Sequence, residues 1–147
     1  LALGVGRFAA IQYYGARDVG EIARETGLPV IAPVPLASEG DLAAIESYRG
    51  RAAAVLLDAR VPGRLGGTGR TIPWEWAAQA RTAGVPIILA GGLTPENVAT
   101  AVRIAQPYAV DVSSGVEAAP GRKDPLRLVA FVRAVRSVDA LPPAETH

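Results

Sequence analysis

The chain has 147 residues, about one domain, and half of them are apolar, which allows a sizeable core. Its net charge is +1 with scattered basic residues, so neither a nucleic-acid stripe nor a basic membrane-binding helix is indicated. Cysteine is absent and the only histidine is His147, which excludes disulfides and thiolate metal sites and argues against histidine-based catalysis. No apolar run approaches the roughly 20 residues that a bilayer-spanning helix needs.

Short apolar runs alternate with amphipathic segments, which is the pattern of βα units in a parallel sheet. The runs predict strands at residues 9–14, 29–33, 53–57, 86–90 and 108–113. The last run contains the β-branched Val110 and Val112 and then breaks into small residues. The predicted fold class is therefore α/β, with about five βα units.

The amphipathic segments between these runs predict the helices. The first covers residues 19–26 and stops at Gly27, the second covers residues 40–48, and the third begins near Pro73. Each follows a strand after a short connection, as expected for successive βα units.

The last two helices have clear start signals. The fourth is predicted to open with Thr94 as cap and Pro95 at its first position, and the fifth with Asp124 as cap and Pro125 at its first position. The spacing of the fifth predicts inward-facing side chains at Leu128, Phe131, Val132 and Val135.

A closed (β/α)8 barrel needs eight units and typically about 250 residues, so the chain is too short for one. An open doubly wound sheet and a TIM-barrel fragment without its first three strands both fit, and similar glycine-containing strand ends favour the fragment. The predicted domain covers residues 1–138, with residues 1–8 as the remnant of a preceding helix. Residues 139–147 are predicted to be a flexible tail.

Two neighbouring strand ends carry residues that suit an anion site. The fourth predicted strand ends in Gly91 and Gly92, and the fifth ends in Ser113, Ser114 and Gly115. Small residues there expose backbone N–H groups, and phosphate is the usual occupant, as after the seventh and eighth strands of a barrel. For either segment alone, a tight turn that needs glycine for positive φ is the commoner explanation.

Two carboxylates lie near the same predicted strand ends. Asp58 ends the third strand, where loss of solvent would raise its pKa and let it hold a proton to donate. Pairing with Arg60 or Arg64 is an equally good explanation. Asp111 shares a strand face with Ser113 and is predicted to be a buried carboxylate that orients the phosphate loop indirectly.

Several stretches of the chain follow one another in an order and spacing that one enzyme family shares. They are residues 11–15 (IQYYG), 56–59 (LLDA), 66–71 (GGTGRT), 88–98 (ILAGGLTPENV), 109–117 (AVDVSSGVE) and 120–124 (PGRKD). The chain resembles phosphoribosylanthranilate isomerase of tryptophan biosynthesis, from about the fourth strand of that family to its C terminus. The resemblance implies a partial TIM barrel in which about three βα units are missing.

The resemblance also implies a reaction, the Amadori rearrangement of N-(5-phosphoribosyl)anthranilate to 1-(2-carboxyphenylamino)-1-deoxyribulose 5-phosphate. In that family a carboxylic acid protonates the ribose ring oxygen and the ring opens to a Schiff base. A cysteine thiolate then removes the C2 proton and the enolamine tautomerises. No cofactor or metal ion is implied, and the only partner is a small phosphosugar.

Through the resemblance, Asp58 becomes the general acid and the two strand ends become the phosphate site. Residues 66–71 become a loop that covers or contacts the substrate. The implied substrate- and phosphate-binding residues are Gly91, Gly92, Asp111, Ser113, Ser114, Gly115, Gln12 and Gly67.

The chain departs from the family at three places. Tyr14 stands where histidine is usual two residues after the glutamine, and Ala32-Pro33 stands where a basic residue is common. The catalytic cysteine lies on the first strand of the family, and this chain has no cysteine at any position. The isolated chain is therefore predicted to be inactive.

Two other functions remain open: a non-catalytic phosphosugar-binding half-barrel, and another phosphate-binding barrel enzyme of histidine or tryptophan synthesis. The complete protein is expected to be a cytoplasmic monomer or homodimer. The fragment is expected to associate, because its first and last strands would be unpaired apolar edges.

Overall fold

A five-stranded parallel sheet forms the centre of the computed structural model, which describes residues 8–59 and 71–139. Its strands are β1 (Ile11–Gln12), β2 (Val30–Leu36), β3 (Ala54–Ala59), β4 (Ile87–Leu89) and β5 (Ala109–Val110). They lie side by side in chain order, and every neighbouring pair is parallel. A doubly wound sheet reverses its order at a switch point, so the unbroken order is that of a half-barrel, and the predicted α/β partial barrel is confirmed.

Helices and a small hairpin complete the described residues. The α-helices are α1 (Val19–Thr26), α2 (Trp74–Ala80), α3 (Val98–Ala105) and α4 (Pro125–Asp139). The segments Glu39–Tyr48, Arg81–Ala83 and Ser114–Val116 are 3₁₀ helices, and the hairpin consists of β6 (Glu117–Ala119) and β7 (Arg122–Lys123). The predicted second helix is thus 3₁₀ rather than α. None of the described helices combines the length and apolar character that crossing a bilayer would require.

Two prolines explain the unequal lengths of β1 and β2. β2 continues past the predicted end at Pro33, whereas β1, predicted over residues 9–14, is much shorter. The N–H of Tyr13 donates to the carbonyl of Ile31 (3.1 Å), so residue 31 and those alternating with it present their backbone groups to β1. Pro33 and Pro35 therefore lack N–H groups only on the β1 side, where pairing stops, and pairing with β3 is unaffected.

The two faces of the sheet differ in burial. The outer face packs under the helices and forms the core through Val30, Ala32, Val34, Val55, Leu57, Ile87 and Leu89. The inner face carries the alternate residues, of which Ile31, Pro33, Ile88 and Ala109 are only partly buried. The inner face of the half-barrel is therefore open along part of its surface.

The last helix is less buried than its spacing predicts. Asp124 caps it as predicted, because its Oδ1 accepts from the N–H of Leu126 (2.8 Å). Phe131 is buried, but Leu128 is 44% exposed and Val132 is 41% exposed, so those two inward assignments are wrong. Within the described residues α4 packs on α3 and on the turn before β6, and these neighbours cover one flank only. The predicted helix remnant at residues 1–8 and the predicted tail lie outside the described residues, except for Phe8 and Asp139.

Candidate functional site at the C-terminal rim of the half-barrel

Backbone hydrogen bonds fix the level at which the central strands end. The N–H of Ala90 donates to the carbonyl of Leu57 (2.9 Å), and the N–H of Asp111 donates to the carbonyl of Leu89 (2.9 Å). Asp58, which follows Leu57, therefore lies at the same level as Ala90 and Asp111. The loops after β4 and β5 leave the sheet from this rim, so the acid candidate and the predicted phosphate loops share one edge.

The register also places both carboxylates on the inner face. Leu56, Ile88 and Ala109 are direct partners across β3, β4 and β5. Because side chains alternate along a strand, Asp58 lies on the same face as Leu56, and Asp111 on the same face as Ala109. Leu57 and Leu89 point the other way into the core. Asp58 and Asp111 thus project into the space enclosed by the half-barrel.

Gln12 and Tyr14 bring β1 into the same group. Gln12 Nε2 donates to Tyr14 Oη at 2.5 Å. The pKa of the Tyr14 phenol is raised, first by partial desolvation of the hydroxyl and then by the Asp58 and Asp111 carboxylates, while the Gln12 bond acts in the opposite direction. Tyr14 therefore lies within electrostatic range of both carboxylates.

The backbone conformation of the loop after β4 requires glycine at two positions. Gly91 (φ 84°) and Gly92 (φ 63°) are in the left-handed region, which side chains rarely adopt. Asn97 holds the loop from the next turn: its Nδ2 donates to the carbonyl of Gly92 (3.0 Å), and its Oδ1 accepts from the N–H of Thr94 (2.8 Å). The loop is thus a fixed structure that turns backbone groups toward the rim.

The start of α3 differs slightly from the prediction. The helix begins at Val98 with Asn97 as its first flanking residue, so the predicted start at Thr94 and Pro95 is too early. Thr94 still accepts the N–H of Val98 through its carbonyl (3.0 Å). The side chain of Asn97 holds the intervening residues in a turn, which delays regular helix geometry.

The loops after β4 and β5 form one unit. A Cβ on Gly115 would lie 1.8 Å from the carbonyl oxygen of Leu93, so the two backbones approach as closely as glycine permits. Arg127 in α4 donates to the carbonyl of Gly115 through Nε (3.1 Å) and Nη2 (3.0 Å), and to the Glu96 carboxylate at 3.3 Å. The pKa of Glu96 is lowered, first by its own backbone N–H and then by the Thr94 hydroxyl and Arg127.

The β6–β7 hairpin adds a cation beside the second loop. Lys123 Nζ donates to the carbonyl of Ser113 (2.9 Å), to Ser113 Oγ (3.3 Å) and to Glu117 Oε1 (2.8 Å). The hydrogen bond from Lys123 is the main reason that the pKa of Glu117 is lowered. The hairpin was not predicted from the sequence, although the Pro120-Gly121 pair is a turn signal that could have revealed it.

Backbone N–H groups at this rim make it a candidate anion site. Within the described residues, no protein group accepts the backbone N–H of Gly91, Gly92 or Ser113. A cavity of about 290 Å³ lies between the two loops, and its lining residues are Gly92, Leu93, Thr94, Ser114, Gly115, Glu117 and Arg127. Among the described residues, no three carboxylate or histidine side chains are grouped so that they could hold a metal ion.

The candidate residues are placed as follows. Asp58 is half-buried at the rim, and the glycines and serines of both loops are beside it on the same edge. Asp111 is exposed, so the prediction that it is buried is wrong: β5 is the last strand of the described sheet, and no described element covers the residue that follows it. Gly67 lies outside the described residues, as do Arg60 and Arg64, the alternative partners considered for Asp58.

Three residues that organise the site were missed as site residues. Asn97 and Lys123 lie inside stretches that the sequence analysis singled out, but their contacts join residues that a pattern along the chain does not connect. Arg127 is in the first turn of α4, close behind the predicted cap. Their role depends on how the two loops pack together.

Known proteins are similar in sequence to this chain over most of its length. A family model described as N-(5'phosphoribosyl)anthranilate (PRA) isomerase matches residues 5–134. The N-(5'-phosphoribosyl)anthranilate isomerase of Moorella thermoacetica is 52% identical over 110 residues, which are 75% of this chain and 48% of that protein.

Solved structures agree with that match. Phosphoribosyl anthranilate isomerase of Thermotoga maritima is 36% identical with a TM-score of 0.75, covering 88% of this chain and 62% of the other. A phosphoribosyl anthranilate isomerase solved in complex with reduced 1-(o-carboxyphenylamino)-1-deoxyribulose 5-phosphate is 32% identical with a TM-score of 0.71, covering 88% and 60%. The chain thus spans about half to three fifths of the length of these relatives. That the matched part is their C-terminal part stays a prediction.

Proposed function

Because the chain belongs to the N-(5'-phosphoribosyl)anthranilate isomerase family, we propose that it supplies the general acid and the phosphate-binding loops for the Amadori rearrangement of N-(5-phosphoribosyl)anthranilate. The observation that carries the proposal is that Asp58 and the strand ends that lead into the two loops lie on one rim, with Asp58 and Asp111 on its inner face. A single phosphosugar can then place its phosphate on the loops while its ribose ring lies against the acid.

In this proposal Asp58 acts on the sugar ring. Its protonated carboxyl gives a proton to the ribose ring oxygen, the C1–O bond breaks, and the nitrogen lone pair completes a Schiff base at C1. Removal of the C2 proton gives an enolamine, which tautomerises to the 2-keto product. The position of Asp58 supports this role, because its half-buried side chain faces the inner side of the rim, where a ribose ring could reach it.

The phosphate is bound by the two loops. The N–H groups of Gly91, Gly92 and Ser113 provide donors in fixed positions, and the hydroxyl of Ser114 adds another. Lys123, which donates to Ser113 and is paired with Glu117, places an ammonium group beside this cradle. Fixed donors of this kind require little reorganisation when the ligand binds.

The remaining candidates have supporting roles in the proposal. Gln12 at β1 and Asp111 after β5 contact the sugar. Asp111 lies between β5 and the phosphate loop. A contact from Gly67 and a cytoplasmic location stay predictions.

The isolated chain is proposed to bind the phosphosugar without converting it. The family resemblance implies a cysteine thiolate as the base, and the chain contains no cysteine. Turnover would therefore need the part of the family that this chain does not span. The acid and the phosphate cradle alone open the ring at most.

Calorimetric titration of the purified chain tests the binding. The analogue reduced 1-(o-carboxyphenylamino)-1-deoxyribulose 5-phosphate should bind more tightly than inorganic phosphate, and phosphate should compete with it. Gly92→Val should abolish the binding of the analogue and of phosphate. Valine disfavours the left-handed backbone (φ 63°) that directs the N–H groups. Gly27→Val is the matched control: Gly27 has a similar φ of 67° but ends α1, away from the rim.

The binding experiment has two outcomes that contradict the proposal. One is that the wild-type chain binds neither the analogue nor phosphate. The other is that Gly27→Val loses the ligands as completely as Gly92→Val, which would reduce the effect to general destabilisation.

We also expect the isolated chain to self-associate. β1 and β5 are the two edges of the described sheet, and α4 exposes apolar side chains, among them Leu126, which is 82% exposed, and Val129. Sedimentation velocity over a range of protein concentrations should show association, and the pair Leu126→Glu and Val129→Glu should weaken it. A monomer at every concentration would contradict the expectation.

A further inference from the structure

Two adjacent tyrosines follow β1 and point to opposite sides. Tyr13 is partly buried and packs on the core side, and its hydroxyl accepts from the backbone N–H of Arg17 (3.4 Å). The ring also covers Gly15, where a Cβ would lie 2.0 Å from Tyr13 Oη. Tyr14 is 74% exposed and lies on the inner side of the half-barrel with Gln12. The core holds Tyr13, whereas Tyr14 makes no contribution to it.

The hydroxyl of Tyr14 is oriented by a neighbour. Gln12 Nε2 donates to Tyr14 Oη, and this bond occupies an acceptor position on the phenol oxygen. The phenol proton is thus directed away from Gln12. An oriented donor at the mouth of the half-barrel suits a sugar, whose oxygens accept hydrogen bonds.

Partial desolvation and two nearby carboxylates all favour the protonated form of the Tyr14 phenol. The carboxylates that face it are Asp58 from β3 and Asp111 from the end of β5, and both raise its pKa, after desolvation as the largest cause. A phenol whose pKa is raised above its ordinary value stays protonated at neutral pH. Tyr14 is therefore a hydrogen-bond donor and does not replace the missing thiolate base.

We propose that Tyr14 is a substrate-contacting residue that donates a hydrogen bond to an oxygen at the reacting end of the phosphosugar, beside Asp58. The inference rests on the proposed function and adds a contact from β1, where the family usually has histidine. Tyr14 is therefore assigned to the sugar end of the site; it follows β1, the edge strand opposite β5 in the described sheet. Tyr14 thereby contributes to selection of the sugar rather than to binding of the phosphate.

Adjacent tyrosine-to-phenylalanine variants test the inference. Tyr14→Phe and Tyr13→Phe each remove one hydroxyl, and both are titrated calorimetrically with the reduced analogue and with inorganic phosphate. Tyr14→Phe should lower the affinity for the analogue about tenfold, which corresponds to the loss of one hydrogen bond, and leave the affinity for phosphate unchanged. Tyr13→Phe should leave both affinities unchanged. A tyrosine ultraviolet difference signal on analogue binding should disappear in Tyr14→Phe alone.

The other outcomes separate this inference from the proposed function. If Tyr14→Phe binds the analogue like the wild-type chain, the Tyr14 contact is overturned while the proposed function stands. If Tyr14→Phe loses phosphate as well, Tyr14 acts on the structure of the site, and the inference is again overturned. If the wild-type chain binds no analogue, both the contact and the proposed function fail.

Discussion

Replacing Asp58 with asparagine should lower kcat by about 10²- to 10⁴-fold in a protein whose barrel is complete, because that is the usual contribution of general acid–base catalysis. The complete protein can be a chimera in which the Thermotoga maritima isomerase supplies the length that this chain does not span. Asparagine has nearly the shape of aspartic acid but cannot give a proton to the ribose ring oxygen. Ring opening would then depend on water.

Binding of the reduced analogue should change far less than kcat, since the ring-opening step is not needed to hold it. Asp111→Asn is the matched control, because Asp111 follows β5, two strands away from β3, on the same face and at the same level as Asp58. It should raise KM more than it lowers kcat. Near-normal turnover by Asp58→Asn, or an equal loss of kcat in both variants, would refute the role of Asp58.

Replacing Gly115 with alanine should damage both the stability and the binding of the chain. The new Cβ would lie 1.8 Å from the carbonyl oxygen of Leu93, and no side-chain rotation can relieve a contact with backbone. The loops after β4 and β5 must move apart, which also disturbs the bonds from Arg127 to the Gly115 carbonyl. Overpacking of this kind lowers the free energy of unfolding by about 1–3 kcal/mol.

Chemical denaturation and phosphate titration measure the two effects of Gly115→Ala. Phosphate affinity should fall strongly, because the donors of the cradle belong to the loops that are displaced. Gly40→Ala is the matched control, since the nearest atom to its Cβ would be Ser38 Oγ at 3.6 Å, an ordinary contact. A Gly115→Ala chain that keeps wild-type stability and phosphate affinity would show that the close approach of the loops is unimportant.

The parts of the fold that depend on local pattern were predictable from the sequence. The apolar runs predicted the five strands of the parallel sheet, though not the β6–β7 hairpin, and Gly27 marked the end of α1. Asp58 was predictable as a rim residue because a carboxylate that ends a buried strand can only lie at the sheet edge. The resemblance then implied which strand ends belong to one site.

The parts that depend on neighbours were not predictable. An apolar stripe on α4 shows which side chains could be buried, but not whether an element exists to cover Leu128 and Val132. Alternation places Asp111 on a face, but its exposure follows from β5 being the last described strand. β2 could extend past Pro33 because the missing N–H of Pro35 would have pointed toward β1 and not toward β3. Only the pairing of β2 with β1 reveals that direction.

The most direct test of the account is amide nuclear magnetic resonance of the labelled chain during titration with ligand. Inorganic phosphate should shift the amides of Gly91, Gly92, Ser113 and Ser114 and leave that of Asp58 unchanged. The reduced analogue should shift the same four amides and, in the same titration, that of Asp58. If the analogue leaves Asp58 undisturbed while it occupies the loops, no single sugar reaches both ends of the rim and the account is contradicted.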